Sequence, residues 1–183
     1  MVVAAQIAGN NPDKYFDSLR GCKLWMMSEQ HFIPLPREGG ARGESPIKYL
    51  VIHCSATRLS IDFTVAKLRA THVNGNGWSD IGYHYYVTKD GVVHPCRPED
   101  KVGAHVKGFN QKSIGICYEG GLLEDGTPAD TRTAEQIVSL DRLLRELKSR
   151  YPDAEIVGHR DLLKYRTKAC PCFDARTYYK YLK

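Results

Sequence analysis

No stretch of this 183-residue chain approaches the ~18 consecutive apolar residues of a membrane-spanning helix, so no membrane partner is expected. The chain also lacks a basic start followed by a long apolar segment. Met1-Val2-Val3-Ala4-Ala5-Gln6-Ile7-Ala8 is too short for an export signal, and the chain is expected to be cytoplasmic as synthesised. Clusters of one charge sign are missing as well. The 26 basic and 21 acidic residues are scattered and leave a net charge of only +5, which argues against a nucleic-acid partner. With no export signal, the six cysteines are not read as three disulfides; they are expected to be reduced, buried or metal-bound. What remains is an ordinary globular composition, 42% hydrophobic and 26% charged, long enough for one domain with a full core.

The first 46 residues differ from the rest. They carry no sustained periodicity and end in a Pro- and Gly-rich stretch, Pro34 to Pro46, suited to a linker. Residues 1–46 are therefore read as an irregular or disordered N-terminal extension, and 47–183 as the folded domain. Strand and helix signals alternate from Ile47 onward. Residues 47–53 read as a buried strand with Tyr49, Val51 and His53 on one face and Leu50, Ile52 and Cys54 on the other. A helix is expected over Asp62–Val73, stopped by Asn74-Gly75. A hairpin is expected around Asp90-Gly91 and a strand over Ser113–Tyr118. Thr133 and Gln136 form a capping box ahead of a helix that runs to Arg150, with Ile137, Leu140, Leu144 and Leu147 facing the core. A short strand at 155–158 and a terminal helix at 174–182, capped by Asp174, complete the pattern. This interleaving implies an α/β fold: a single domain with a mixed central β-sheet flanked by helices.

Three short phrases carry the chemistry. His53 and His159 each end an apolar run, and the third phrase is Lys168-Ala169-Cys170-Pro171-Cys172. Two imidazoles and one thiolate make a zinc site whose fourth tetrahedral position stays open, the mark of a catalytic ion. The chain therefore reads as a zinc hydrolase, with both histidines at strand ends in a surface groove. Cys170 and Cys172 are equally plausible sulfur ligands on this chemistry. Of the other histidines, His31, His72 and His94 have no metal-like context, and His84 is expected to pack. His105 sits in a Gly-bracketed loop, a placement that suits a substrate-binding residue as well as a solvated one.

Taken together, the chain resembles the zinc-dependent N-acetylmuramoyl-L-alanine amidases of the phage-lysozyme type, relatives of the peptidoglycan recognition proteins. The matching segments are Ile52-His53-Cys54-Ser55-Ala56-Thr57, Gly82-Tyr83-His84-Tyr85, Gly103-Ala104-His105-Val106-Lys107-Gly108-Phe109-Asn110, Ser113-Ile114-Gly115-Ile116-Cys117, Gly158-His159-Arg160-Asp161 and Lys168-Ala169-Cys170-Pro171, in family order.

The resemblance implies that the metal cysteine is the one preceding proline, Cys170, so that one zinc ion is held by His53, His159 and Cys170. It further implies catalytic roles for Tyr83 and Lys168. The substrate would be peptidoglycan or a muropeptide, cut at the amide between N-acetylmuramic acid and L-alanine by a zinc-activated water. The enzyme is expected to be a monomer that reaches the wall after lysis or export. Two alternatives come with the family: a non-catalytic peptidoglycan-binding module, and an amidase that also regulates an RNA polymerase. Intact His53, His159 and Cys170 argue against the first. Deleting residues 1–46 is expected to leave amide hydrolysis within about twofold of the full chain, and loss of the fold, read by circular dichroism, would refute the linker reading.

Overall fold

The computed structural model describes residues 46–163 and 168–182; apart from Pro46, the expected extension lies outside them. The first strand, β1 (Tyr49–Cys54), alternates as its sequence demands. Leu50, Ile52 and Cys54 enter one hydrophobic cluster, while Val51 enters another on the opposite side of the sheet, with Tyr49 packed against it. A strand buried on both faces belongs in the middle of a parallel sheet, and β1 lies there. It pairs in parallel with β5 (Ser113–Tyr118) on one side and β7 (Glu155–Gly158) on the other.

Between β1 and β5 the chain forms β2 (Thr57–Arg58), α1 (Val65–Ala70), β3 (Tyr85–Val87) and β4 (Val93–Pro95). The main sheet has the order β4-β3-β5-β1-β7, with β4 alone antiparallel. A two-stranded parallel sheet joins β2 to β6 (Gly121–Leu122). The mixed sheet expected from the sequence is thus present, and the hairpin turns at Asp90-Gly91, where Gly91 takes a φ of 81°.

The helix boundaries show what periodicity misses. The first helix begins three residues after Asp62, because Thr64 takes an extended conformation and its side chain accepts from the Lys67 N–H. Beyond Ala70 the chain widens into a π-helical turn over Thr71–Gly75 rather than stopping at Val73. In contrast, α2 (Ala134–Arg150) has the capping box read from Thr133 and Gln136. The terminal helix α3 (Ala175–Tyr178) is capped by Asp174 but is shorter than expected.

Helix α2 lays Leu140, Leu143, Leu144 and Leu147 on the sheet face that carries Leu50, Ile52, Ile114 and Ile116. Each such side chain contributes about 1.5–3 kcal/mol by leaving water. Its first turn is tied to the sheet by polar contacts too. Gln136 is fully buried and its amide donates to the Val87 and Glu119 carbonyls, while the Thr133 hydroxyl donates to the Lys89 carbonyl. The other sheet face is covered by α1 through Leu68, which packs with Ile81, Tyr86 and Cys117. Among the described residues, no helix is long and apolar enough to cross a membrane. Because Thr133 caps α2 and also bonds β3's exit, Thr133→Ala is expected to cost about 1–2 kcal/mol in urea denaturation; no change would mean the cap is replaced by water.

Candidate functional site

Parallel strands bring their C-terminal ends to one edge, and that edge carries the candidate site. His53 is the fifth residue of β1 and is buried, at 1% exposure. His159 follows β7 directly, where the Asp161 carboxylate accepts from the Gly158 N–H at 2.8 Å and turns the chain. The two imidazole rings lie 4.6 Å apart, centroid to centroid.

Cys170 arrives from a separate loop that is pinned to both strands. Its carbonyl accepts from the Arg160 N–H at 2.9 Å, and its Sγ accepts from the Cys54 N–H at 3.3 Å. The neighbouring Pro171 carbonyl accepts from the Tyr118 hydroxyl at 2.6 Å. This approach requires glycine at position 158, since a Cβ there would stand 2.5 Å from Pro171 Cδ. The phrases Gly158-His159 and Cys170-Pro171 therefore fit each other sterically, which sequence spacing could not reveal.

The ligand-type atoms of His53, His159 and Cys170 lie within 4.8 Å of one another. The His53 atom facing the sulfur is Nδ1, at 3.9 Å. Tetrahedral zinc with ordinary Zn–N and Zn–S bonds would set that pair at about 3.6 Å, so the geometry is close to that of a bound ion. Cys172, the alternative sulfur, points elsewhere: its Sγ lies 3.6 Å from Cys54 Sγ and 3.2 Å from the Gly121 carbonyl. Among the described residues, it takes no part in the His-His-Cys group.

Electrostatics suit a cation. Burial, then the neighbouring His105, His159 and Lys168, holds His53 well below the ordinary imidazole value. Burial, then the Lys168 charge, takes His159 down to about 4. Both rings are thus neutral near pH 7, with a lone pair to give. A hydrogen bond shared with Cys54, together with burial, pushes the Cys170 thiol up. Coordination to a divalent ion reverses that preference and ionises the sulfur.

The remaining sequence candidates divide. The Tyr83 ring sits 5.0 Å from the His53 ring, and burial, then the nearby cysteines, raises its hydroxyl well above the ordinary phenol value. Lys168 is exposed two residues before Cys170, and its charge is felt at both imidazoles. His105 lies behind His53 rather than beside the sulfur: its Nδ1 is 3.0 Å from His53 Nε2. His84 packs as expected, fully buried, with Nδ1 accepting from the Gly115 N–H and Nε2 near the Lys101 carbonyl. His72 accepts from the Gly82 N–H and packs against Trp78 with the rings tilted by 48°. The Cys54 backbone, which the sequence reading treated only as core, contributes the N–H that meets Cys170.

The comparisons with known proteins agree with this geometry. The family model described as N-acetylmuramoyl-L-alanine amidase matches residues 43–173. The endolysin of Enterobacteria phage K11 is 41% identical over 129 residues, covering 70% of this chain and 83% of the relative. The endolysin of Escherichia phage T7 is 37% identical over 131 residues, covering 72% and 84%. Among solved structures, the N-acetylmuramoyl-L-alanine amidase LysC from Clostridium intestinale superposes with a TM-score of 0.62 at 28% identity, covering 83% of this chain and 91% of that one. On the match across its folded region, supported by the mixed sheet and the clustered His-His-Cys group, this chain belongs to the N-acetylmuramoyl-L-alanine amidase family.

Proposed function

We propose that this amidase cuts the bond between N-acetylmuramic acid and L-alanine in peptidoglycan or its soluble fragments with one zinc ion held by His53, His159 and Cys170. The observation that carries this reading is the cluster itself: two neutral imidazoles and a thiol from three chain segments, with ligand atoms within 4.8 Å. Three protein donors leave a fourth position for water or substrate, as a catalytic site needs and a structural one does not. When bound, zinc supplies Lewis acidity, lowering the pKa of a water toward ~7 and polarising the scissile carbonyl.

The chain's own residues supply the rest. Lys168, exposed beside the cluster, offers a positive charge and a donor to the oxyanion that develops as the carbonyl is attacked. Tyr83 keeps its proton, because burial disfavours the phenolate, so it acts as a hydrogen-bond donor to water or oxyanion. The tight seat of His53 in β1 keeps that ring from moving as charge develops. The enzyme acts as a monomer, needs no nucleic acid or membrane, and meets the wall after lysis or export. A binding-only module is disfavoured because it would have no use for an intact donor set.

Amidase activity on purified peptidoglycan is expected to release new L-alanine amino groups, to vanish with a chelator and to return with zinc. Persistence of full activity in a metal-free preparation would sink the zinc reading. Cys170→Ser and His159→Ala are expected to lose zinc and activity together. Lys168→Ala should keep its zinc yet lose on the order of 10²-fold in turnover, and Tyr83→Phe should keep zinc while turning over more slowly. Unchanged rates would reduce either residue to a bystander.

A further inference from the structure

The face of His53 that points away from the metal cluster is also built. A neutral imidazole has one nitrogen that donates and one that accepts, and only the unprotonated nitrogen can bind a metal. His53 turns Nδ1 toward Cys170 Sγ, so metal binding there would require its proton on Nε2. That nitrogen lies 3.0 Å from His105 Nδ1. His105 Nε2 in turn lies 3.3 Å from Ser113 Oγ, and the Ser113 hydroxyl donates to the Phe109 carbonyl at 2.8 Å.

The direction of this chain is fixed from its far end. A carbonyl oxygen can only accept, and the Phe109 carbonyl lies closer to Ser113 Oγ (2.8 Å) than His105 Nε2 does (3.3 Å), so the Ser113 proton is assigned to Phe109. The serine oxygen then presents a lone pair to His105, which must donate from Nε2 and accept at Nδ1. His53 must therefore donate from Nε2, leaving Nδ1 bare. Four groups in series carry the preference of one backbone carbonyl to the nitrogen that faces the cluster.

The surroundings hold this arrangement in place. The His105 ring lies edge-on to His53, with centroids 5.1 Å apart at 90°. It rests in a cradle of two glycines: a Cβ at Gly103 or at Gly115 would come within 2.6 Å of the His105 ring. The loop is locked by Asn110, whose Oδ1 accepts from the His105 and Val106 N–H groups at 2.9 and 2.8 Å. Ser113 is fully buried at the start of β5, where a wall-sized substrate cannot touch it.

We infer that His105 is a positioning residue: the series Phe109 carbonyl, Ser113, His105 fixes the tautomer and ring orientation of His53 for metal binding. The inference rests on the zinc reading above. It also reassigns His105 from the substrate-binding role its loop suggested. Hydrogen-bond partners behind a metal-ligating histidine are worth about 10–100-fold in metal affinity.

The test compares the full-length protein with His105→Ala, His105→Gln and Ser113→Ala, checking each fold by circular dichroism. Zinc affinity is measured by competition with a chromogenic chelator, and KM and kcat on a soluble muropeptide at saturating zinc. His105→Ala is expected to bind zinc ~10–100-fold more weakly with KM little changed. Ser113→Ala should shift affinity in the same direction by less, and His105→Gln, whose amide oxygen accepts, should recover part of the loss. In the metal-free wild type at neutral pH, nitrogen-15 spectra are expected to show His53 and His105 both protonated at Nε2. Unchanged zinc affinity with a raised KM would return His105 to substrate contact and overturn the relay. An Nδ1-protonated ring at either position would overturn it without involving zinc. A wild type that binds no zinc would instead refute the metal reading, which the spectra keep distinct. Should His105→Ala fail to fold, Ser113→Ala, His105→Gln and the spectra carry the decision.

Discussion

The structure depends on the placement of β1 between two parallel neighbours. Its backbone pairs with β5 from Tyr49 to Cys54 and with β7 from Tyr49 to Ile52, and its side chains are packed on both faces. A strand so constrained cannot slip by one residue without turning its whole apolar set to the wrong face. His53 therefore has a fixed height and a fixed side of the sheet. Because the pairing with β7 is parallel, the residue that follows β7 emerges at the same edge, and that residue is His159. One constraint thus delivers two of the three candidate ligands.

The third needs a different device. Cys170 belongs to no strand, and its loop is held by contacts to both: the Arg160 N–H on its carbonyl, the Cys54 N–H on its sulfur, and Tyr118 on the next carbonyl. The loop can come this close only because Gly158 has no side chain to meet Pro171. The glycine cradle at Gly103 and Gly115 works the same way beneath His105. In both places a missing Cβ admits a ring, and the ring sets the position of a polar atom. Glycines in these phrases thus shape the cluster, through space rather than through bonds.

Three polar side chains taken out of water here are well partnered. Gln136 bridges the Val87 and Glu119 carbonyls, Glu119 accepts from the Phe63 and Lys89 N–H groups, and Arg132 is clamped by Asp130 against the Phe173 ring. A buried charge without such contacts would cost several kcal/mol. These networks lie away from the cluster and stiffen the frame around it. The cluster itself gathers two imidazoles and a thiol, with ligand-type atoms within 4.8 Å of one another, and an exposed lysine two residues before the cysteine.

Much of this was legible in the sequence. The alternation over Tyr49–Cys54 gave the two faces of β1, and Thr133 with Gln136 gave the start of α2, because those signals depend only on near neighbours along the chain. The donor types of the cluster were legible too, as two histidines and a cysteine in three short phrases. Other features were not. The late start of α1 turns on the extended backbone of Thr64, and the π turn after it overrides the Asn74-Gly75 stop. The glycine-rich loop of His105 suits a groove residue, but its 3.0 Å approach to His53 Nε2 across 52 positions of sequence was not legible. Spacing left Cys170 and Cys172 open and the family resemblance implied Cys170; the fold brings Cys170 Sγ to Nδ1 of His53 and turns Cys172 to Cys54 and Gly121. By itself the sequence determined periodicity, caps and the inventory of donors, which are local properties. Only the tertiary structure decided which donors come together and which nitrogen His53 turns to the sulfur, because those are set by contacts between segments that no local pattern relates.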